Sequence, residues 1–264
     1  MKKVALLYVT LLWGAVSINA QDTGVARERK ARFDLQIAQS FGLNDWNRVK
    51  FASDRLPRSS SSTDLRATVN LYIIGRTAGI FHDMGVSILP SSRNDFSDPA
   101  AQATLTTGIP FYTKEITFED GYQSASAHFK MTFGVFGKIS ASDKFSVLPS
   151  FGVGFMTMSA PACDAVLKEQ DANMQYIARY RWFGQDDYNY DNSTSLGYLA
   201  YRLRLACHIS PKFDFLFGVE YTWFFTRTDF YETYTNYFNY NIVKTNHYKG
   251  NQLNMLGLSL GISF

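Results

Sequence analysis

Four sets of residues have the types and spacing to do chemistry. Ser126 and His128 stand two apart in an alternating segment, and a serine beside a histidine is the raw material of acyl transfer. Residues i and i+2 on a strand are about 6–7 Å apart, too far for a direct hydrogen bond, so the pair reads as packing. Asp186-Asp187-Tyr188-Asn189-Tyr190-Asp191-Asn192 gathers three carboxylates and two amides, hard oxygen ligands that could hold Ca2+. It lacks the glycine and closing glutamate of an EF-hand loop, which favours a solvated loop. The run 231–241 mixes tyrosine with asparagine, and Tyr231, Tyr234, Tyr237 and Tyr240 offer apolar area with hydrogen bonding at low entropic cost, as binding surfaces do. An extended hairpin packed on itself reads equally well. Last, Arg202, Arg204, Glu220, His208, Asp214, Lys130 and Asp34 are charged or polar residues that could line a conduction path or brace an interior.

What positions these groups is alternation. Leu256, Leu258, Leu260, Ile262 and Phe264 fall on one face of a period-two strand, and Gly257, Ser259, Gly261 and Ser263 on the other. The same pattern predicts strands over 33–43, 65–73, 80–88, 125–135, 145–155, 199–208 and 213–225, eight with the last. The connections alternate between long (44–64, 90–121, 159–193, 227–249) and short (75–79, 140–143, 210–212). That asymmetry predicts an all-β fold: a transmembrane antiparallel up-and-down barrel with four long extracellular loops and short periplasmic turns. The last short turn predicts a register that opposes Asp214 to His208, Glu220 to Arg202, Phe217 to Leu205, Val219 to Leu203 and Phe213 to Ile209.

The apolar faces are read as meeting lipid, against a lipocalin-like alternative that would bury them, because the opposite faces hold Gly, Ser, Ala and Thr with few charges. Aromatics cluster at strand ends, Trp46, Tyr221, Trp223 and Phe225 near the loops and Phe145, Phe213 and Phe264 near the turns, the levels of two membrane girdles. An eight-stranded interior is just wide enough for its own side chains, so the charged set reads as a lumen network rather than a pore. Charge reversal at Glu220 is then expected to destabilise the barrel, with partial rescue by Arg202→Glu.

Lys2 and Lys3, the apolar run 4–16 and Ser17-Ile18-Asn19-Ala20 have the layout of a secretory signal peptide. The run is too short for a membrane helix, which needs roughly 20 residues. The expected division is a signal at 1–20, a polar basic lead-in at 21–32 and a barrel at 33–264. Hydrophobic residues make up 46% of the 264-residue chain, yet mean hydropathy is only −0.16. That combination excludes a helical membrane protein and suits alternating strands. A net charge of +3 gives no ground for nucleic acid. Cys163 and Cys207, at opposite ends of the barrel, are expected to be unpaired.

On the Ala20–Gln21 junction, the terminal Leu260-Gly261-Ile262-Ser263-Phe264 and the Tyr/Asn-rich loops, the chain resembles the eight-stranded OmpA/OmpX-like outer-membrane barrels. It looks most like the PorT-like "outer membrane protein beta-barrel domain" proteins of Bacteroidota-type bacteria. The resemblance is architectural and spans the mature chain. It implies an outer-membrane location and a non-enzymatic surface scaffold, binding protein or accessory subunit working through the loops. Alternatives are a component of a secretion or transport machine, or a hydrolase acting on lipid A or peptides. Lipid A deacylases resemble this chain in size but must turn their reactive pair to lipid, whereas Ser126 and His128 are expected inside. Membrane lipid and a protein or glycan at the loops are the expected partners. No cofactor is expected, the alternative being a divalent cation shared with lipopolysaccharide.

Overall fold

The computed structural model describes residues 31–43, 61–90, 99–118, 125–159, 163–182 and 193–264. In chain order the elements are β1 (Ala31–Gly42), β2 (Ser62–Ile74), β3 (Ala78–Pro90), α1 (Pro99–Thr107), β4 (Phe111–Phe118), β5 (Ala125–Gly137), β6 (Ile139–Ser140) and β7 (Phe145–Ser159). Then follow β8 (Cys163–Glu169), β9 (Gln175–Trp182), β10 (Ser193–Ser210), β11 (Phe213–Asn236) and β12 (Ile242–Ser263). Eight of the strands, β1, β2, β3, β5, β7, β10, β11 and β12, pair antiparallel in that order and close as β12 returns to β1. Closure leaves the barrel wall without a free edge, which is what a sheet in hydrocarbon requires. The expected signal and most of the lead-in, residues 1–30, lie outside the described residues. Arg32, expected in the lead-in, is instead the second residue of β1.

The two faces of the wall are inverted relative to a soluble barrel. Leu35 is 41%, Phe217 50% and Leu258 56% exposed, while Asp34, Thr132 and Glu220 are at 3% or less. An apolar exterior around a polar interior fits lipid outside and excludes the lipocalin-like alternative. The turns over 75–77 and 211–212 and the β5–β7 link sit at the end that holds Ala31 and Ser263; the long connections sit at the other.

The β10–β11 register pairs Arg202 with Glu220, Leu203 with Val219, Leu205 with Phe217 and His208 with Asp214, as expected from the short connection over 210–212. Phe213 departs from expectation. It pairs with Ser210, not Ile209, because the register shifts after His208. Free Cys207 lies near the turn end of β10, whereas Cys163 begins β8 beyond the loop end.

Three of the expected long loops are largely structured. The 90–121 connection contains α1 and β4, and 159–193 contains the β8–β9 hairpin. The 227–249 segment is mostly strand: β11 and β12 continue past the barrel and turn only over 237–241, with Tyr240 at φ 56°. Together they form an extracellular sheet in the order β12-β11-β9-β8-β4, carried by the barrel's own last hairpin.

On the lumen side Gly134 faces Gly152 across β5 and β7, and the ring of buried Phe81 from β3 lies over the pair. A Cβ on Gly134 would come within 2.1 Å of the Phe151 carbonyl oxygen and 2.6 Å of that ring. Gly134→Val is therefore expected to cost at least about 1–3 kcal/mol by overpacking. It should lower the midpoint of heat-modifiable gel migration, while outward-facing Val135→Leu leaves the midpoint unchanged.

Candidate functional site

The lumen is filled by a cross-strand ion network. Glu220 on β11 accepts hydrogen bonds from Arg202 of β10, Arg66 of β2, Lys130 of β5 at 3.3 Å and Thr222 at 3.0 Å. Arg202 also forks onto Asp83 of β3, with its two terminal nitrogens 3.0 and 2.7 Å from the carboxylate oxygens, and lies 5.3 Å from the Phe81 ring centroid. Lys130 bridges Glu220 and Asp64, each at 3.3 Å. Lower in the barrel Asp34 accepts from Arg204 and Asn70, both at 2.8 Å, and from Arg32 at 3.2 Å. Arg32 reaches on to Asp214 at 2.9 Å. Among the described residues five cationic side chains thus meet five carboxylates, which is how buried charge is tolerated.

All seven charged positions singled out from sequence, Asp34, Lys130, Arg202, Arg204, His208, Asp214 and Glu220, lie in or at the end of this network. Arg32, Arg66, Asp64, Asp83 and Ser146 were missed. Their inward parity was readable, but their cross-lumen partners on β5, β10 and β11 are separated from them by long connections, so nothing in the sequence fixed which rung each faces.

Ser146 completes a chain with hydrolase-like order. His208 Nε2 is 2.8 Å from Ser146 Oγ, and Nδ1 is 2.7 Å from Asp214 Oδ1. Ser146 is fully buried, however, and its strand is paired on both sides, with β6 and with β10. No substrate carbonyl can approach that hydroxyl in this state, and the chain serves to tie β7, β10 and β11 together at the turn end. Of the other serine–histidine pair, His128 is buried in the lumen, and the Ser126 side chain lies outside the described residues.

Of the aromatics expected at the membrane boundaries, Phe145, Phe264, Tyr221 and Phe225 are exposed, and Phe213 and Trp223 are half-buried. They pair edge-on or tilted with neighbours, Trp223 with Phe225 at 5.4 Å, Phe213 with Phe215 at 5.3 Å and Phe264 with Phe33 at 5.3 Å. Trp46 lies outside the described residues.

The extracellular sheet has its own core, in which Ala100 and Ala103 of α1 pack with Phe111, Ala165, Leu167, Ala178, Tyr180 and Tyr234. Glu232 is fully buried beside it and accepts from the Tyr234 hydroxyl, from Asn246 Nδ2 at 3.1 Å and from Thr106 Oγ1 at 3.4 Å. Burial, with the Glu232 carboxylate adjacent, pushes the Tyr234 phenol well above its usual range and keeps it a donor. The four tyrosines expected on one surface are therefore divided. Tyr234 is core, Tyr231 is half-buried and stacked on His247 at 4.5 Å, and Tyr237 and Tyr240 are exposed with Phe238, Ile242 and Val243. A tyrosine at every third position cannot share one face of a strand, where even and odd positions face opposite ways. The carboxylate run 186–192 lies outside the described residues; among those described, no group of three or more His, Cys, Asp or Glu could hold a metal.

An apolar belt around a closed cylinder, with its charges matched inside, can be accommodated only in a bilayer that takes up strands. The chain is an outer-membrane β-barrel. No family model matches it, and no curated protein does. Among solved structures it is similar to OprG from Pseudomonas aeruginosa (TM-score 0.43, 11% identity, 90% of this chain and 97% of that one). It is also similar to a major outer membrane protein from Thermus thermophilus (0.41, 11%, 89% and 98%). A third is Ail, the attachment invasion locus protein of Yersinia pestis (0.36, 14%, 89% and 97%).

Three variants test these networks. Glu220→Ala strands Arg66, Arg202 and Lys130 together and is expected to cost about 3–5 kcal/mol, read as a lower thermal midpoint in detergent. Arg202→Glu should not rescue Glu220→Arg, contrary to the simpler two-residue expectation, because Asp83 would then face a carboxylate. Tyr234→Phe leaves Glu232 short of a donor at a cost of about 1–3 kcal/mol. It should speed proteolysis of the extracellular sheet without moving the barrel's midpoint.

Proposed function

We propose that the protein is a non-enzymatic surface receptor or adhesin-like scaffold, in which a rigid, filled barrel holds an extracellular sheet out for a protein or glycan partner. The observation that carries this reading is the tip of the β11–β12 hairpin. There Tyr237, Phe238 and Tyr240 are 40–68% exposed, with Ile242 and Val243 at 55% and 59% alongside. Exposed aromatic and aliphatic area of this density marks recognition surfaces.

The tip is also preorganised. Asn236 Oδ1 accepts from the backbone N–H of Phe238 at 2.9 Å and of Asn239 at 3.3 Å, and Asn239 Oδ1 accepts from the Asn241 N–H at 3.1 Å. A turn held this way loses little conformational freedom on binding. The asparagines of the run thus fix the turn, and the aromatics supply the contact area.

The alternative is an accessory subunit of a secretion or transport machine, the role implied by the PorT-like resemblance. The filled lumen supports scaffolding over conduction in that case. Changing Tyr237, Phe238 and Tyr240 together to serine separates the two. Under the receptor reading, the triple variant should keep its heat-modifiable migration but lose about tenfold or more in affinity for the ligand found on a glycan and matrix-protein array. Unaltered array binding, or stable co-purification of an envelope complex that the variant leaves intact, would count against it.

A further inference from the structure

The turn end of the barrel carries a charge pattern of its own. Within 73–79, 137–145 and 209–213 there are four cations, Arg76, Lys138, Lys144 and Lys212, against one carboxylate, Asp143. Every short connection therefore presents at least one cation. Arg76, Lys144 and Lys212 are exposed and Lys138 is half-buried.

Two of these turns are joined. The Lys138 backbone N–H donates to the Thr77 carbonyl at 2.6 Å, placing the β5–β6 link against the β2–β3 turn that holds Arg76. Burial, together with the neighbouring Arg32 and Arg76 charges, pulls the Lys138 ammonium below its ordinary pKa, with Asp214 opposing. Arg76 and Lys138 thus stand on adjacent, hydrogen-bonded turns, where a single anion can meet both.

The surroundings select the kind of anion. Ile73 and Ile74 flank Arg76 at 64% and 67% exposure, Ile139 follows Lys138 at 61%, and Ile209 stands by the Lys212 turn at 59%. These residues end the apolar belt, so the hydrocarbon boundary lies at their level and the phosphate layer of the leaflet lies just beyond it. An acidic soluble partner would satisfy the cations but has no use for four exposed isoleucines. A glycerophospholipid satisfies both, with its phosphate on the cations and its glycerol and upper acyl carbons on the isoleucines.

We propose that Arg76 and Lys138, on two hydrogen-bonded turns at the periplasmic rim, hold the phosphodiester of an anionic phospholipid of the periplasmic leaflet. Lys144 and Lys212 extend the same preference around the rim. The site is independent of the extracellular surface and stands even if the receptor reading fails.

Native mass spectrometry of the detergent-purified chain tests it, with dioleoyl phosphatidylglycerol competing against dioleoyl phosphatidylcholine. The wild-type protein should retain phosphatidylglycerol preferentially. Arg76→Gln with Lys138→Gln should weaken that retention about thirtyfold, from roughly 1 kcal/mol per cation, and leave phosphatidylcholine unchanged. Lys138→Arg should retain the preference, and Lys114→Gln with Lys168→Gln on the extracellular sheet should have no effect. Equal retention of the two lipids overturns the proposal, as does undiminished phosphatidylglycerol on the folded double variant. Displacement by millimolar inorganic phosphate would reduce the site to a bare anion site, and displacement by a glutamate-rich peptide would reassign it to an acidic protein; either also overturns it.

Discussion

Every charge that folding removes from water has to meet its partner within a cylinder about one side chain wide, and this requirement shapes the whole molecule. Glu220 can be buried only because β2, β5 and β10 each deliver a donor to it, and each of those donors needs its own rung of the ladder. Slipping any strand by one residue would turn its inward polar set to lipid and break several ion pairs at once. The network is thus a register lock. Well-packed apolar side chains often match or exceed the stability of a buried ion network, but here they would remove the penalty on wrong pairings.

The sequence made the wall legible and hid the superstructure, for physical reasons. Alternation is strict where one face meets lipid and the other the lumen, so Leu256 to Phe264 declare their strand without help. Register was readable across one turn only, because a three-residue connection leaves little slack; even there the shift after His208 moved Phe213 by one place. Asp64 and Asp83 were invisible as partners of Lys130 and Arg202 because their rung depends on closure of the whole barrel. In the extracellular sheet the signal fails differently. β4 shifts register between Thr113 and Glu115, which breaks the alternation of an eight-residue strand, and β8 has seven residues. Between 231 and 236 polar side chains lie on both faces, so the segment reads as loop although its backbone continues β11.

Tyrosine carries two different jobs within a few residues. Tyr234 is buried with its hydroxyl committed to Glu232, whereas Tyr237 and Tyr240 stand on the turn, where their rings are exposed. Residue type and local density could not distinguish them. Only the continuation of β11 through Asn236, and hence a turn confined to 237–241, assigns the first to structure and the others to the surface.

With lipid around the wall and a full lumen, the two ends of the cylinder are the only places where water, partner and protein can meet. They are built on different principles. The loop end uses its long connections to grow a second hydrophobic core around Leu167, Tyr180 and Tyr234, so that a sheet stands clear of the membrane on packed strands. The turn end uses connections too short for any core and presents lysine and arginine beside a border of exposed isoleucine. In the two proposals, shape recognition is assigned to the first end and charge recognition to the second. The lumen network lies between them as a brace on which both ends are mounted, since β11 and β12 run uninterrupted through all three levels.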